Sequence, residues 1–195
     1  MPLKKIVIIG PESTGKSTLC EGLAAHFSSG SGTGAAPKYI TGWVPEFARQ
    51  YLLQNGMNYK YKDLLTIARG QLDLEEEKAA ALIRQASIAA ADPILFVDTD
   101  MYVMKVWSEF VFGRCDPWIL GQIGSRKYDG YLLCRTDLPW VKDELREYPD
   151  PVTREKLYHI YRDLLANQPT PWTEISGIAE QRLATAIDAV KRLTA

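Results

Sequence analysis

Gly10-Pro11-Glu12-Ser13-Thr14-Gly15-Lys16-Ser17 is a run whose residue types suit one task, the cradling of a phosphate chain. Glycines let the backbone curl until its N–H groups face an anion. A helix opening at the end of the run adds the partial positive charge of its N-terminus. Lys16 is long enough to reach the β- and γ-phosphates of a nucleoside triphosphate, and the Ser17 hydroxyl can ligate Mg²⁺. The candidate nucleotide-binding set is therefore Gly10, Glu12, Ser13, Thr14, Gly15, Lys16, Ser17 and Thr18, and the expected cofactors are ATP and Mg²⁺.

Three other clusters carry chemistry. Asp98-Thr99-Asp100 follows an apolar run, as the acidic partner of a phosphate loop does. Asp98 comes first and is the expected Mg²⁺ ligand beside Ser17. Asp100 is read either as a substrate contact or as a cap on the following helix. Trp43-Val44-Pro45-Glu46-Phe47-Ala48-Arg49 offers a carboxylate that can orient an acceptor hydroxyl and take its proton. Arg49, three residues after Glu46, shares its helix face; the plainer reading is a surface ion pair. Asp137 to Arg146 has the composition of a lid, or of an ordinary charged loop. Arg146, with Arg154 as second choice, could stabilise charge on a transferring phosphoryl group. The expected catalytic residues are Lys16, Glu46, Asp98 and Arg146, with the base left open between Glu46 and Asp98. The expected substrate contacts are Trp43, Glu46, Arg49, Asp100 and Trp140, the two tryptophans as stacking faces.

The elements that must position these clusters alternate in type. Ile6-Val7-Ile8-Ile9 is a β-branched run suited to a strand buried on both faces. Further strands are expected at 38–41, 93–97, 130–134 and 171–175. Helices are expected near 16–27, 46–53, 61–91, 101–112, 152–167 and 178–193. The Gly/Ser-rich stretch 28–37 reads as a loop, and Leu74-Glu75-Glu76-Glu77-Lys78 as a solvated helix face. Alternating strands and helices imply an α/β fold of the P-loop NTPase kind. Such a sheet is parallel with helices on both faces; if the chain is a P-loop kinase, the expected order of its five strands is 2-3-1-4-5, with a small lid at about 137–150. In such sheets ligands bind beyond the carboxyl ends of the strands, where the polar clusters fall.

Composition sets the outer bounds. At 195 residues, with 46% hydrophobic and 24% charged residues, the chain suits one globular domain spanning 1–195. A net charge of −1 gives no basic footprint for nucleic acid. Three scattered cysteines, Cys20, Cys115 and Cys134, offer neither a disulfide framework nor a zinc site. His26 and His159 fall on helices away from the strand ends. The N-terminus is too short in apolar residues for a signal peptide or a span, which places the chain in the cytoplasm. The expected partner is a small-molecule substrate, with no membrane or nucleic acid; a homo-oligomer stays open.

Taken together, GPESTGKST, the PEFARQY segment, Ile67-Ala68-Arg69-Gly70-Gln71, FVDTD and YDGYLLCRTDLPWVKDELR resemble the ribosylnicotinamide kinase domain of the NadR-type proteins, in the AAA_28-like ATPase and kinase group. The resemblance runs from about Ile6 to Arg182. It implies Lys16 and Ser17 at phosphates and Mg²⁺, Glu46 and Arg49 near the acceptor, Asp98 and Asp100 at metal or ribose, and Arg146 in the lid. It implies ATP-dependent phosphorylation of the ribose 5′-hydroxyl of nicotinamide riboside. A cationic pyridinium ring would favour an aromatic face plus a carboxylate. This chain departs from multidomain members in having no room for an adenylyltransferase domain. It also has Glu144 where many relatives have a glycine after the lid aspartate, and its 28–37 stretch looks inserted. A kinase for another small metabolite and a regulatory ATPase without a small acceptor are the alternative readings.

Overall fold

The computed structural model describes residues 2–29 and 37–194. Most of the 28–37 stretch thus lies outside the described residues. Among these residues the chain forms five strands and seven helices. The strands are β1 (Lys4–Ile9), β2 (Tyr39–Val44), β3 (Asp92–Asp98), β4 (Gly130–Cys134) and β5 (Trp172–Ile175). The helices are α1 (Lys16–Ser28), α2 (Phe47–Asn55), α3 (Tyr61–Ala89), α4 (Met101–Phe112), α5 (Pro117–Ser125), α6 (Pro151–Ala166) and α7 (Ala179–Thr194). All five strands are parallel, in the order β2-β3-β1-β4-β5. This is the P-loop NTPase arrangement expected from the pattern.

Strand alternation builds two cores. Ile6, Ile8, Phe96, Leu132 and Cys134 face α1 and α7, together with Leu19, Leu23 and Val190. Val7, Ile9, Leu95, Val97, Tyr131 and Leu133 face the other way, against Leu82, Val106, Leu157 and Tyr161. Near-continuous apolar strands are what burial on both faces requires. A third cluster joins α2, α3, α4 and α5 through Ala48, Leu64, Ile67, Met104 and Ile119. Cys20 and Cys134 are buried thiols and Cys115 is half-buried, in keeping with packing roles.

Two local readings change. Helix α5 was not expected. Asp116 caps it by accepting from the Trp118 N–H at 2.9 Å, and Pro117 opens it, a start signature the sequence carried. Glu75 is fully buried, unlike its neighbours Glu76 and Glu77. Its carboxylate meets Lys5 Nζ at 2.7 Å and the Tyr128 hydroxyl at 2.9 Å, with Arg126 Nη1 at 3.6 Å. Only Glu75 of the acidic trio falls on the inner stripe of α3, at i+4 from Gln71. A buried carboxylate persists when cations and donors surround it in this way.

The strand registers set the site. Ile8 lies beside Asp98 and Val44 beside Val97, while Ile9 lies beside Leu133. The ends of β1, β2, β3 and β4 therefore open onto one edge. The chain from 135 to 150 crosses that edge without helix or strand.

Candidate active site

The phosphate loop leaves β1 through Gly10, whose φ is +143° and where a Cβ would sit 2.7 Å from the Cys134 carbonyl. No other residue fits that approach. Ser13 at φ 57° and Gly15 at φ 75° are left-handed as well, so the loop curls and leaves the first N–H groups of α1 facing outward. The Thr14 hydroxyl donates to the Pro11 carbonyl at 2.8 Å and holds the curl from within. Lys16 Nζ donates to the same carbonyl at 2.9 Å. The Ser17 hydroxyl donates to Asp98 Oδ2 at 2.5 Å, which joins the loop to the end of β3.

Two buried guanidinium groups brace the loop from behind. Arg182 of α7 donates to the Thr14 and Arg135 carbonyls through Nη2, and to Asp137 and the Gly177 carbonyl through Nη1. Arg154 of α6 donates to the Ser13 and Leu138 carbonyls. Neither role was expected. The second-choice lid arginine, Arg154, is only 4% exposed and already committed to backbone; it does not swing.

A cleft of about 580 Å³ opens in front of the loop. Gly10 to Thr18 form one wall, and Trp43, Glu46 and Arg49 another. Trp107, Phe110, Leu157 and Tyr161 give it an apolar, largely aromatic end, and Arg146 lines it from the lid. Glu21 also lines the cleft, and it, Trp107, Phe110 and Tyr161 escaped sequence reasoning. Glu21 is signalled by its i+4 spacing from Ser17; the aromatic wall comes from α4 and α6, and no local pattern announces it.

Glu46 occupies the N-cap position of α2 rather than its first turn, and makes no side-chain cap bond among the described residues. Its carboxylate is thus free for the cleft. Burial first, then the Asp98 charge, push it above the usual carboxylate range, while Lys16 and Arg49 pull it back. A raised carboxylate suits proton removal near neutral pH. Asp98 is fully buried; burial raises its pKa against the pull of Lys16 and of the Ser17 and Thr99 hydroxyls. Between the two aspartates Thr99 has φ 78°, an outlier for a β-branched residue. The kink sends Asp98 under the phosphate loop and Asp100 into α4.

Three side chains make contacts that their expected roles did not include. Asp100 lies outside the cleft. It accepts from the Tyr102 and Val103 N–H groups at 3.0 and 3.4 Å and from the Tyr131 hydroxyl at 3.1 Å, so the cap reading describes it. Trp140 does not line the cleft; its indole N–H donates to Glu12 Oε1 at 3.0 Å. Glu12 spends its carboxylate on the lid, accepting also from the Glu147 and Tyr148 N–H groups at 2.9 and 2.7 Å. An anionic side chain beside a phosphate site is better placed there than facing phosphate. The Ser13 hydroxyl accepts from the Val141 N–H.

The lid is also held from the far wall. Arg49 makes a two-point contact with Asp143, at 3.1 and 2.9 Å, in place of a surface pair with Glu46. That bond holds the Asp143 carboxyl below its ordinary range. Trp107 Nε1 donates to Tyr59, whose hydroxyl donates to Glu147 at 2.9 Å. The 137–150 segment is thus pinned to the phosphate loop and, through Arg49 and Tyr59, to the far wall of the cleft.

The family model AAA_28, described as an AAA domain, matches residues 5–182. This chain belongs to that family. Within it, the chain is 26% identical over 167 residues to the trifunctional NAD biosynthesis/regulator protein NadR of Salmonella typhimurium (strain LT2) and to that of Escherichia coli (strain K12). Each match covers 84% of this chain and 36% of the relative, so this AAA_28 chain spans about a third of the curated relatives' length. A crystal structure of NadR protein in complex with NR superposes with a TM-score of 0.72 at 22% identity, covering 98% of this chain and 49% of that one. Thymidylate kinase from Ehrlichia chaffeensis superposes at 0.62 with 13% identity, over the whole of both chains. These likenesses establish a shared fold.

Proposed function

We propose that the chain is an ATP-dependent kinase that transfers the γ-phosphoryl group to the ribose 5′-hydroxyl of nicotinamide riboside, giving nicotinamide mononucleotide. One observation carries the reading: the uncapped Glu46 carboxylate faces the same cleft as the phosphate loop and Lys16, with an aromatic chamber beyond it. A regulatory switch needs the loop but not that chamber. The curated relatives are NadR proteins, and NadR protein of similar fold has been solved with NR and with NAD and AMP-PNP.

The roles follow from position. Backbone N–H groups of the loop and Lys16 hold the triphosphate. Glu46 takes the proton of the attacking hydroxyl, whose oxygen forms the new bond to phosphorus as ADP leaves. Arg146 answers the charge on the transferring group, and Arg49 fastens the 137–150 segment over the cleft through Asp143. Trp43 and Trp107, with the nearby carboxylate, suit a flat cationic ring. Segment 137–150 acts as the lid that keeps water out.

The residues fit Mg²⁺. Among the described residues no three His, Cys, Asp or Glu side chains cluster as a protein-only metal cage, and Mg²⁺ on a nucleotide needs none. Ser17 and Asp98 present two oxygens in contact behind the loop and would hold it. When bound there it would neutralise negative charge on the phosphates.

A coupled ADP-release assay over a panel of ribosides tests the reading. Turnover should rise with nicotinamide riboside, and Glu46→Gln should lower it by about 10²–10⁴-fold while nucleotide binding survives. Turnover with a different acceptor would reassign the substrate. Hydrolysis that no acceptor stimulates would remove the kinase reading.

A further inference from the structure

Gln71 sits on α3, is 1% exposed and does not line the cleft. Its Oε1 accepts from the Phe47 N–H at 2.7 Å. Its Nε2 donates to the Pro45 carbonyl at 3.3 Å and to the Asp98 carbonyl at 3.2 Å. One amide thus grips the backbone on either side of Glu46 and, at the same time, the backbone of Asp98. A planar group with an acceptor and two donors is required for this, which among side chains of that length only glutamine supplies.

The neighbouring residue makes the grip reachable. At Gly70 a Cβ would lie 2.2 Å from the Phe47 ring, so α3 approaches the start of α2 only without a side chain there. The Phe47 N–H belongs to the first turn of α2, where no helical partner exists. Gln71 takes it and so fixes the backbone directly after Glu46, whose own side chain makes no cap bond. The two acids sit on separate elements, β3 and the β2–α2 connection, and no bond between their side chains is present to fix their spacing.

We propose that Gln71 is a positioning residue, which holds Glu46 and Asp98 at a fixed separation across the phosphate loop. This rests on the kinase reading of those two carboxylates. Misplacing a reacting group by about 1 Å lowers the chemical rate on the order of 10²-fold. A packing residue would instead act on folding and on all ligands alike.

Gln71→Leu removes all three bonds at similar volume; Gln71→Glu keeps the shape and the acceptor for Phe47 but loses both donors above its pKa. In steady-state assays both should lower kcat, Gln71→Glu by about tenfold or more and Gln71→Leu further. KM for ATP should stay within about threefold. A kcat within twofold of the parent in Gln71→Glu overturns the proposal. So does a parallel loss of nucleotide affinity and thermal stability. Amide hydrogen exchange of the unsubstituted protein adds a readout independent of activity. The Phe47 amide should exchange as slowly as core amides, though first-turn amides normally exchange fast; fast exchange overturns the proposal. A parent that phosphorylates nothing yet protects Phe47 would remove the kinase reading and leave the grip standing.

Discussion

Asp100 shows how a side chain's duty follows from what surrounds it. It sits two residues from Asp98, yet the left-handed Thr99 turns it into the cap of α4. Burial pushes its carboxyl up to about 7 against the three bonds it accepts. The folded chain therefore keeps a proton that the unfolded chain, with an ordinary carboxyl near 3.8, has released. That contribution is complete below about pH 4 and is lost as pH rises through 7. Asp100→Asn keeps an acceptor for both cap N–H groups and never ionises. Its stability relative to the parent should improve as pH rises from 5 to 7, by at most about 1.4 kcal/mol per pH unit. Denaturant midpoints at several pH values read this directly; a pH-independent difference would show that Asp100 titrates normally. The phosphate loop and Glu46 were legible from residue types because their chemistry is local. For Asp100 the residue type offered both a cap and a substrate contact, and the contact of Trp140 with Glu12 was not readable because that partner lies far along the chain.

Elements carry the next layer of the argument. Gly70 lies inside α3, where alanine would gain about 1 kcal/mol of helix propensity. The added Cβ meets three ring atoms of Phe47 within 2.6 Å, and such overpacking costs about 1–3 kcal/mol. Gly70→Ala should thus be destabilised by about 1 kcal/mol in urea melts. It should lose proportionally more acceptor-dependent turnover, since Phe47 adjoins Glu46. Lid and loop form a second element pair. Removing the Glu12 carboxylate frees two lid N–H groups and the Trp140 indole. Glu12→Ala should lower transfer to the acceptor on the order of tenfold and raise the share of ATP lost to water. The ratio of ADP to phosphorylated product measures it; an unchanged ratio would mean the lid closes without Glu12. The parallel sense of the sheet was readable from strands alternating with helices, whereas the strand order came with the P-loop kinase reading. Helix α5 was missed although Asp116-Pro117 announced it, and Glu75 because its acidic neighbours hid the phase of α3.

At the scale of the whole molecule, ligand and fold reinforce one another. The cleft is walled by the phosphate loop, by α2, α4 and α6, and by the lid, so a bound nucleotide must be released before these part. At a hundredfold excess over Kd, ATP with Mg²⁺ should stabilise the chain by about 2.7 kcal/mol. For a chain this long that raises Tm by about 5–11 °C in a thermal shift experiment. No rise would argue against nucleotide binding at the loop. Arg182 has a consequence for how short such a chain can be. All five strands and six of the seven helices are complete by residue 175 or begin before it, so a chain ending there would still contain the entire sheet. It would lack the guanidinium that ties together the Thr14, Arg135 and Gly177 carbonyls and the Asp137 carboxylate. A working chain therefore extends at least to this cation on α7, and Arg182→Met in the otherwise intact chain should weaken nucleotide binding while the sheet stays folded.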